Sequence, residues 1–261
     1  MSPRHRTRRD WRRWNGIALT AATIVATVWL ATTNQLLLYI HPRYIVFTVI
    51  MAAFGLVFLV ASFVPRSRHD HDHDHEARDE ASGSSGLRRW ITASATIVTA
   101  AIALALVVVP PATLTSATAD QREINSTSVL DAPQSADAVA PAGASERFTV
   151  RDWASLLRQT SDPVFYSGKP ADIVGFVTPD PDDPENVFYV SRFIITCCAV
   201  DAQPIGVPVY LPDWTSSFHK DDWVQVTGGF ETNRSAASAQ PIALVPRSTK
   251  TVQQPDEPYL Y

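Results

Sequence analysis

Three long stretches of this chain carry no charged side chain. They run from Arg13 to Arg43, from Arg43 to Arg66 and from Arg89 to Asp120. Within them, residues 14–40, 44–64 and 90–109 are mostly apolar or small, and the second reads YIVFTVIMAAFGLVFLVASFV. Each reaches the roughly 20 residues that a helix needs to cross a bilayer core about 30 Å thick. A helix is suited to that medium because it satisfies its own backbone polar groups. The pattern therefore predicts three transmembrane helices. The apolar core of a signal sequence, at about 7–15 residues, is too short to match. The first run is the weakest, because Thr32, Thr33, Asn34 and Gln35 interrupt it. Trp14, Tyr39, Tyr44 and Trp90 stand near the ends of the runs, where aromatic rings anchor helices at the headgroups.

The pattern changes after residue 109. Residues 110–146 are rich in Ala, Ser, Thr and Pro, which reads as a flexible linker. Thr149 and Asp152 form a candidate helix cap, with Trp153, Leu156 and Leu157 on one face and a stop at Asp162-Pro163. Extended segments follow at 171–178, 187–197, 207–211, 222–230 and 242–245. Gly228-Gly229 marks a kink or bulge in the fourth. Five short strands and one small helix in residues 147–250 predict a five-stranded OB-like barrel, with a small sandwich as the alternative. The expected architecture is membrane-anchored α+β. It comprises a basic tail (1–13), a three-helix region (14–109) with a loop at 65–89, a linker (110–146), the β-rich domain (147–250) and a tail (251–261).

Charge orients this arrangement. The N-terminal tail carries six Arg and the 65–89 loop five, whereas the connection at 41–43 carries one. By the positive-inside rule the tail and the loop are cytoplasmic. Three crossings then place the β-rich domain outside the plasma membrane. The formal net charge of −4 divides accordingly: 12 Lys/Arg against 7 Asp/Glu up to residue 109, and 10 against 19 beyond it. An acidic outer domain argues against nucleic acid as a partner.

Two clusters could carry chemistry. Both cysteines of the chain, Cys197 and Cys198, follow the β-rich run RFIIT, and Asp201 lies three residues on. A strand would send adjacent side chains to opposite faces. The chain must therefore leave the strand if both sulfurs are to meet one partner. Cys197, Cys198 and Asp201 are candidate ligands for zinc or copper, with His219 as a further donor. The alternatives are a strained vicinal disulfide or simple packing, with Asp201 as a turn former. The second cluster is His69, His71, His73 and His75, interleaved with Asp in the 65–89 loop. Imidazoles in that density suit zinc, nickel or copper. His41-Pro42-Arg43 reads as a proline turn with a snorkelling arginine. No GxSxG, P-loop, HExxH or dinucleotide fingerprint occurs, so no catalytic constellation is recognisable. The alternatives to a membrane subunit are an extracytoplasmic thiol or metal redox protein using Cys197 and Cys198 and a membrane-tethered metal-sensing module.

Several stretches together resemble the bacterial YcgQ-type family. They are Leu38-Tyr-Ile-His-Pro-Arg-Tyr44, the His/Asp loop, Pro-Ala-Thr-Leu after the third run, and Arg192-Phe-Ile-Ile-Thr-Cys-Cys-Ala-Val-Asp-Ala-Gln-Pro204. The resemblance implies an accessory permease subunit that pairs with a larger multispan YcgR-type permease. It also implies a link to zinc supply, and it brings no catalytic residue.

Overall fold

The computed structural model describes residues 4–63, 94, 97, 98, 101, 113–126 and 144–261. The predicted third run and the His-rich loop therefore lie outside the described residues, save isolated helical positions in the former. The chain forms two compact units. One comprises Met1–Leu37 with Pro42–Pro111, and the other Leu38–His41 with Ala112–Tyr261.

The first unit contains two long helices among the described residues: α1 (Arg4–Thr32) and α2 (Ile45–Ala61). One helical stretch, Pro42–Ala61, is long and apolar enough to cross a membrane, with a mean hydropathy of 2.6. The apolar part of α1, Gly16–Thr32, is shorter. Three crossings thus reduce, among the described residues, to one sufficient helix and one short one. For the first run the polar cluster at 32–35 is the reason, because α1 stops at Thr32 and a short 3-10 turn follows at Gln35–Leu38, while the third run lies outside the described residues. None of the α2 side chains is buried, and Phe58 is 73% exposed. A core helix would hide such residues. In both helices threonine hydroxyls donate to carbonyls one turn back, as Thr27 does to Thr23 (2.9 Å) and Thr48 to Tyr44 (2.9 Å). This satisfies them without water. Gly55 lets the two helices approach, since a Cβ there would lie 3.3 Å from Ile24 Cδ1.

The second unit is built on a mixed six-stranded sheet. Its strands are β1 (Ala171–Pro179), β2 (Val187–Ile194), β3 (Gln203–Tyr210), β4 (Trp223–Thr232), β5 (Ile242–Thr251) and β6 (Tyr259–Leu260). Their order is β1-β4-β5-β3-β2-β6, and β1 pairs with β2 as well. Pairing is antiparallel except between β3 and β5 and between β2 and β6. The expected strand 207–211 begins four residues earlier, at Gln203, although Pro204 and Pro208 lie in it. β3 meets β5 at a single step, Val209↔Leu244, so most of that edge has no ladder for a missing N–H to break. The expected glycine irregularity is a register shift at Thr227/Gly228. A Cβ on Gly228 would fall 2.2 Å from the Val245 carbonyl oxygen, so the close approach requires glycine there.

Three short helices precede the sheet: α3 (Ser116–Ala119), α4 (Val150–Gln159) and α5 (Pro163–Tyr166). The capping box expected at α4 forms. Asp152 Oδ2 accepts from the Thr149 backbone N–H at 2.7 Å, and Thr149 Oγ1 accepts from the Asp152 N–H at 3.4 Å. α4 buries Trp153, Ala154 and Leu156 in the main core. Trp153 lies 4.6 Å from the Phe230 ring, which also touches Tyr166 at 5.2 Å. The Tyr166 hydroxyl meets the Leu156 and Thr160 carbonyls where α4 ends, at 3.0 and 2.7 Å.

A second, smaller core gathers distant pieces of chain. Phe176, Phe193, Ile195 and Ala202 pack with Leu38, Ala119, Leu114, Trp223, Tyr259 and Tyr261. Residues 113–126, linker-like in composition, fold with the sheet, and their last turn meets β3. Asn125 donates from Nδ2 to the Gly206 carbonyl (2.8 Å) and accepts from the Gly206 N–H (2.9 Å). Of residues 251–261, read as a tail, Thr251 ends β5 and Tyr259–Leu260 form β6, and the Tyr259 hydroxyl accepts from the Leu114 N–H at 3.0 Å.

Candidate metal centre

β2 ends at Ile194, and the chain leaves the sheet just before the cysteines. Ile195 is still buried, and its N–H reaches the Leu260 carbonyl at 3.0 Å. Thr196 and Cys197 turn outward, and a 3-10 turn at Ala199–Asp201 returns the chain to the buried Ala202 at the start of β3. Asp201 organises this turn. Its Oδ2 accepts from the Cys197 N–H at 2.7 Å and the Cys198 N–H at 3.4 Å, while Oδ1 accepts from the Thr196 N–H at 3.2 Å. Three successive amides aimed at one carboxylate hold the turn closed.

The side chains converge as a result. One ligand atom from each of Cys197, Cys198 and Asp201 lies within 4.8 Å of the others. A tetrahedral zinc with Zn–S bonds of about 2.3 Å sets its two sulfurs about 3.8 Å apart, so side-chain rotation that closes up to about 1 Å lets both meet one ion. The carboxylate offers about four lone-pair sites, and three amides already address it. It can add one bond to a metal while still holding the turn. No disulfide joins the two cysteines. Neighbouring Cα atoms across a trans peptide are about 3.8 Å apart, below the roughly 4.4 Å at which ordinary disulfides begin. Cys197 is exposed, and Cys198 and Asp201 are half-buried, so solvent reaches the donor set.

The turn is braced from two sides. Residues 39–41 lie antiparallel to it, with Ile40 opposite Cys198. The His41 N–H donates to the Cys197 carbonyl at 3.0 Å, and the Ala199 N–H donates to the Tyr39 carbonyl at 2.8 Å. The His41 ring meets the Tyr261 ring edge-on at 4.9 Å. Arg122 reaches the Val200 carbonyl through Nη2 at 3.0 Å. Sequence reasoning missed both braces. The alternating Leu38-Tyr-Ile-His pattern is extended in character, but Pro42 drew attention to the turn instead.

Arg192, from the same sequence stretch, has a different task. It is buried, lies 5.3 Å from the Trp223 ring centroid, and donates to the Val174 carbonyl at 3.3 Å and the Glu257 carbonyl at 2.7 Å. Burial pushes its guanidinium down to about 10, against the pull of Tyr261 and Glu257, and it remains charged at neutral pH. It anchors the segment after β5. His219 does not join the cysteine group. It is exposed, and its ring stands 3.5 Å from Asp222. His69, His71, His73 and His75 fall outside the described residues.

Fold and site together define a protein of two units: an apolar helical unit, and a mixed-sheet domain with a Cys-Cys-Asp turn at the end of β2. Residues 17–125 match the DUF1980 N-terminal domain and residues 139–261 the DUF1980 C-terminal domain. The chain belongs to the DUF1980 family. No curated protein matches it. The boundary between the two matched domains differs from the structural one, because Leu38–His41 and 113–126 fold with the sheet.

Proposed function

We propose that this protein is a membrane-anchored, metal-binding accessory subunit of a larger permease. In this reading it is YcgQ-type, and it takes a divalent ion, zinc first, on Cys197, Cys198 and Asp201 outside the plasma membrane. The observation that carries the proposal is the convergence of two thiols and a carboxylate within 4.8 Å on a turn that solvent reaches. Thiolate and carboxylate together suit a borderline ion.

Anchoring is supported by α2, which is apolar along its whole length and has no buried side chain. Leu38–His41 folds in the same unit as the sheet, which supports putting the helix connection and the domain on one side of the bilayer. The strand pairings support an OB-like barrel, since β1-β2-β3-β5-β4 returns to β1. His69, His71, His73 and His75 would offer a second donor set on the cytoplasmic side. A thiol-redox role has less support, because adjacent cysteines resist an unstrained disulfide.

The test is purification of the full chain from its native membrane in detergent, with metal analysis and identification of co-purifying proteins. The expected result is bound zinc that Cys197→Ser/Cys198→Ser removes, together with a multispan partner. A wild-type chain free of metal after zinc loading refutes the metal site. Repeated isolation without any multispan protein refutes the subunit role.

A further inference from the structure

We infer that His41 is the fourth ligand of this metal site, so that an ion bound there clips the connection between α1 and α2 onto the β domain. The inference rests on the metal reading of Cys197, Cys198 and Asp201.

Three observations carry it. The first is register. Ile40 pairs with Cys198, and the His41 N–H bonds to the Cys197 carbonyl at 3.0 Å, so His41 stands opposite Cys197. The backbones of His41 and Cys197 are thus direct neighbours, which places the His41 side chain at the edge of the cysteine turn. The second is the donor count. Cys197, Cys198 and Asp201 make three ligands, and zinc held structurally takes four, among which histidine is common. Zn–N of about 2.0–2.1 Å and Zn–S of about 2.3 Å in a tetrahedron ask for an N···S separation of about 3.5 Å. The ligand atoms within 4.8 Å of one another are those of Cys197, Cys198 and Asp201, so the His41 ring has to rotate toward them to bind the ion. The third is support for the ring. Tyr261 meets the His41 imidazole at 4.9 Å, and Arg151 Nη1 donates to the Tyr261 carbonyl oxygen at 3.0 Å. Tyr261 thus keeps the metal-free ring beside the turn.

The consequence follows from chain order. Residues Leu38–His41 lie between α1 and α2 in sequence but fold with the sheet. In the absence of an ion the contacts that hold them include two backbone hydrogen bonds, the His41–Tyr261 ring pair and Leu38 in the small core. A four-coordinate ion adds a bond directly from this connection to the Cys197/Cys198 turn. Metal occupancy then determines how firmly the connection is held, which gives the site a route from ion binding to the helices.

The experiment uses the full chain in detergent, with Zn²⁺ and Co²⁺ as probes. Four proteins are compared: wild type, Cys197→Ser/Cys198→Ser, His41→Ala and His41→Cys. Wild type is expected to bind one ion at this site, counted apart from any held by His69, His71, His73 and His75, and to give the intense visible bands of tetrahedral Co²⁺ with thiolate charge transfer. His41→Ala should bind at least about 10-fold more weakly, the low end of losses for residues that merely support a ligand. Its Co²⁺ bands should change. His41→Cys, which keeps a donor, should recover most of the affinity with a shifted charge-transfer band. Zinc should also slow hydrogen exchange at the His41 and Ala199 amides in wild type but not in His41→Ala. If the double cysteine variant binds as wild type does, the metal reading itself fails. If that variant loses the ion but His41→Ala keeps wild-type affinity and Co²⁺ spectrum, the metal reading survives and the role of His41 is overturned. Equal loss in His41→Ala and His41→Cys overturns it as well, because that marks a structural role.

Discussion

Replacing Asp201 by Asn separates the carboxylate's work in holding the turn from its work as a ligand. The shape is kept, but one acceptor oxygen becomes an NH₂ donor. The best arrangement for Asn keeps its oxygen at the Oδ2 position, toward the Cys197 N–H now at 2.7 Å. The NH₂ then faces the Thr196 N–H, which donates to Oδ1 at 3.2 Å. One weak hydrogen bond is lost, at a net value of about 1 kcal/mol, and the short one falls from the range for charged partners to that for neutral ones, about 1 kcal/mol more. The metal-free protein should lose about 2 kcal/mol in all. For a domain of this size 1 kcal/mol corresponds to roughly 2–4 °C, so the metal-free melting temperature should drop by about 4–8 °C. The assay is thermal unfolding of the full chain in detergent with a chelator present, followed by circular dichroism in the β region. Amide exchange at Thr196 and Cys197 should rise in parallel. A variant that melts within about 1 °C of wild type, with unchanged exchange there, would refute the claim that Asp201 organises the turn. Zinc then gives the second reading. If Asp201 is also a ligand, the variant gains less stability from zinc than wild type does, beyond its metal-free loss.

Further outcomes follow from the same geometry. Gly228→Ala must move the Val245 carbonyl, which lies 2.2 Å from the new Cβ, and should cost about 3 kcal/mol in urea unfolding, at the upper end of overpacking losses. Arg192→Met should free the segment after β5, because the bond to Glu257 and the contact with Trp223 both go. A loss of about 2–3 kcal/mol is expected, with faster exchange at the Ile195 amide that bonds to Leu260. Burial raises the phenols of Tyr166 (to about 12), Tyr189, Tyr259 and Tyr261. A raised folded-state pKa protects the fold fully below the unfolded value near 10 and loses that protection as pH climbs through the folded value. Stability should therefore be insensitive to these groups below pH 10 and fall above it. Ultraviolet titration should show these four tyrosines ionising later than exposed ones. Ordinary titration of all seven at pH 10 in the folded protein would contradict this.

Local signals were legible along the chain. The Thr149 to Asp152 cap, the α2 stretch and the glycine irregularity in β4 each depend on neighbours a few residues away, whereas the strand expected over 187–197 ends at Ile194. Sequence reasoning could find them because capping, hydropathy and glycine geometry are short-range. The strand ends were less legible. The prolines at 204 and 208 argue against a strand, and only the sparse pairing of β3 with β5 makes them harmless. Tyr259-Leu260 is too short to show a period, and its strand character comes from Phe193 and Ile194 beside it.

The candidate site divides in the same way. The sequence alone determined its donor chemistry: two adjacent thiols with a carboxylate three residues on, and a separate histidine run far from them in the chain. It also determined that the stretch expected at 44–64 holds an apolar helix, which the structure bounds at Ile45–Ala61, because hydropathy there is uniform. Only the tertiary structure decided that one Asp201 carboxylate gathers three amides, that the sulfurs and the carboxylate face one point, and that His41 stands opposite Cys197 across about 156 residues of chain. The physical reason is that strand pairing and hydrophobic packing join segments without regard to separation along the chain once a loop has closed, at an entropic cost that grows only slowly with its length. No local pattern in Leu38–His41 states which edge it will meet. That choice belongs to the shared core of Leu38, Phe176, Phe193 and Tyr259.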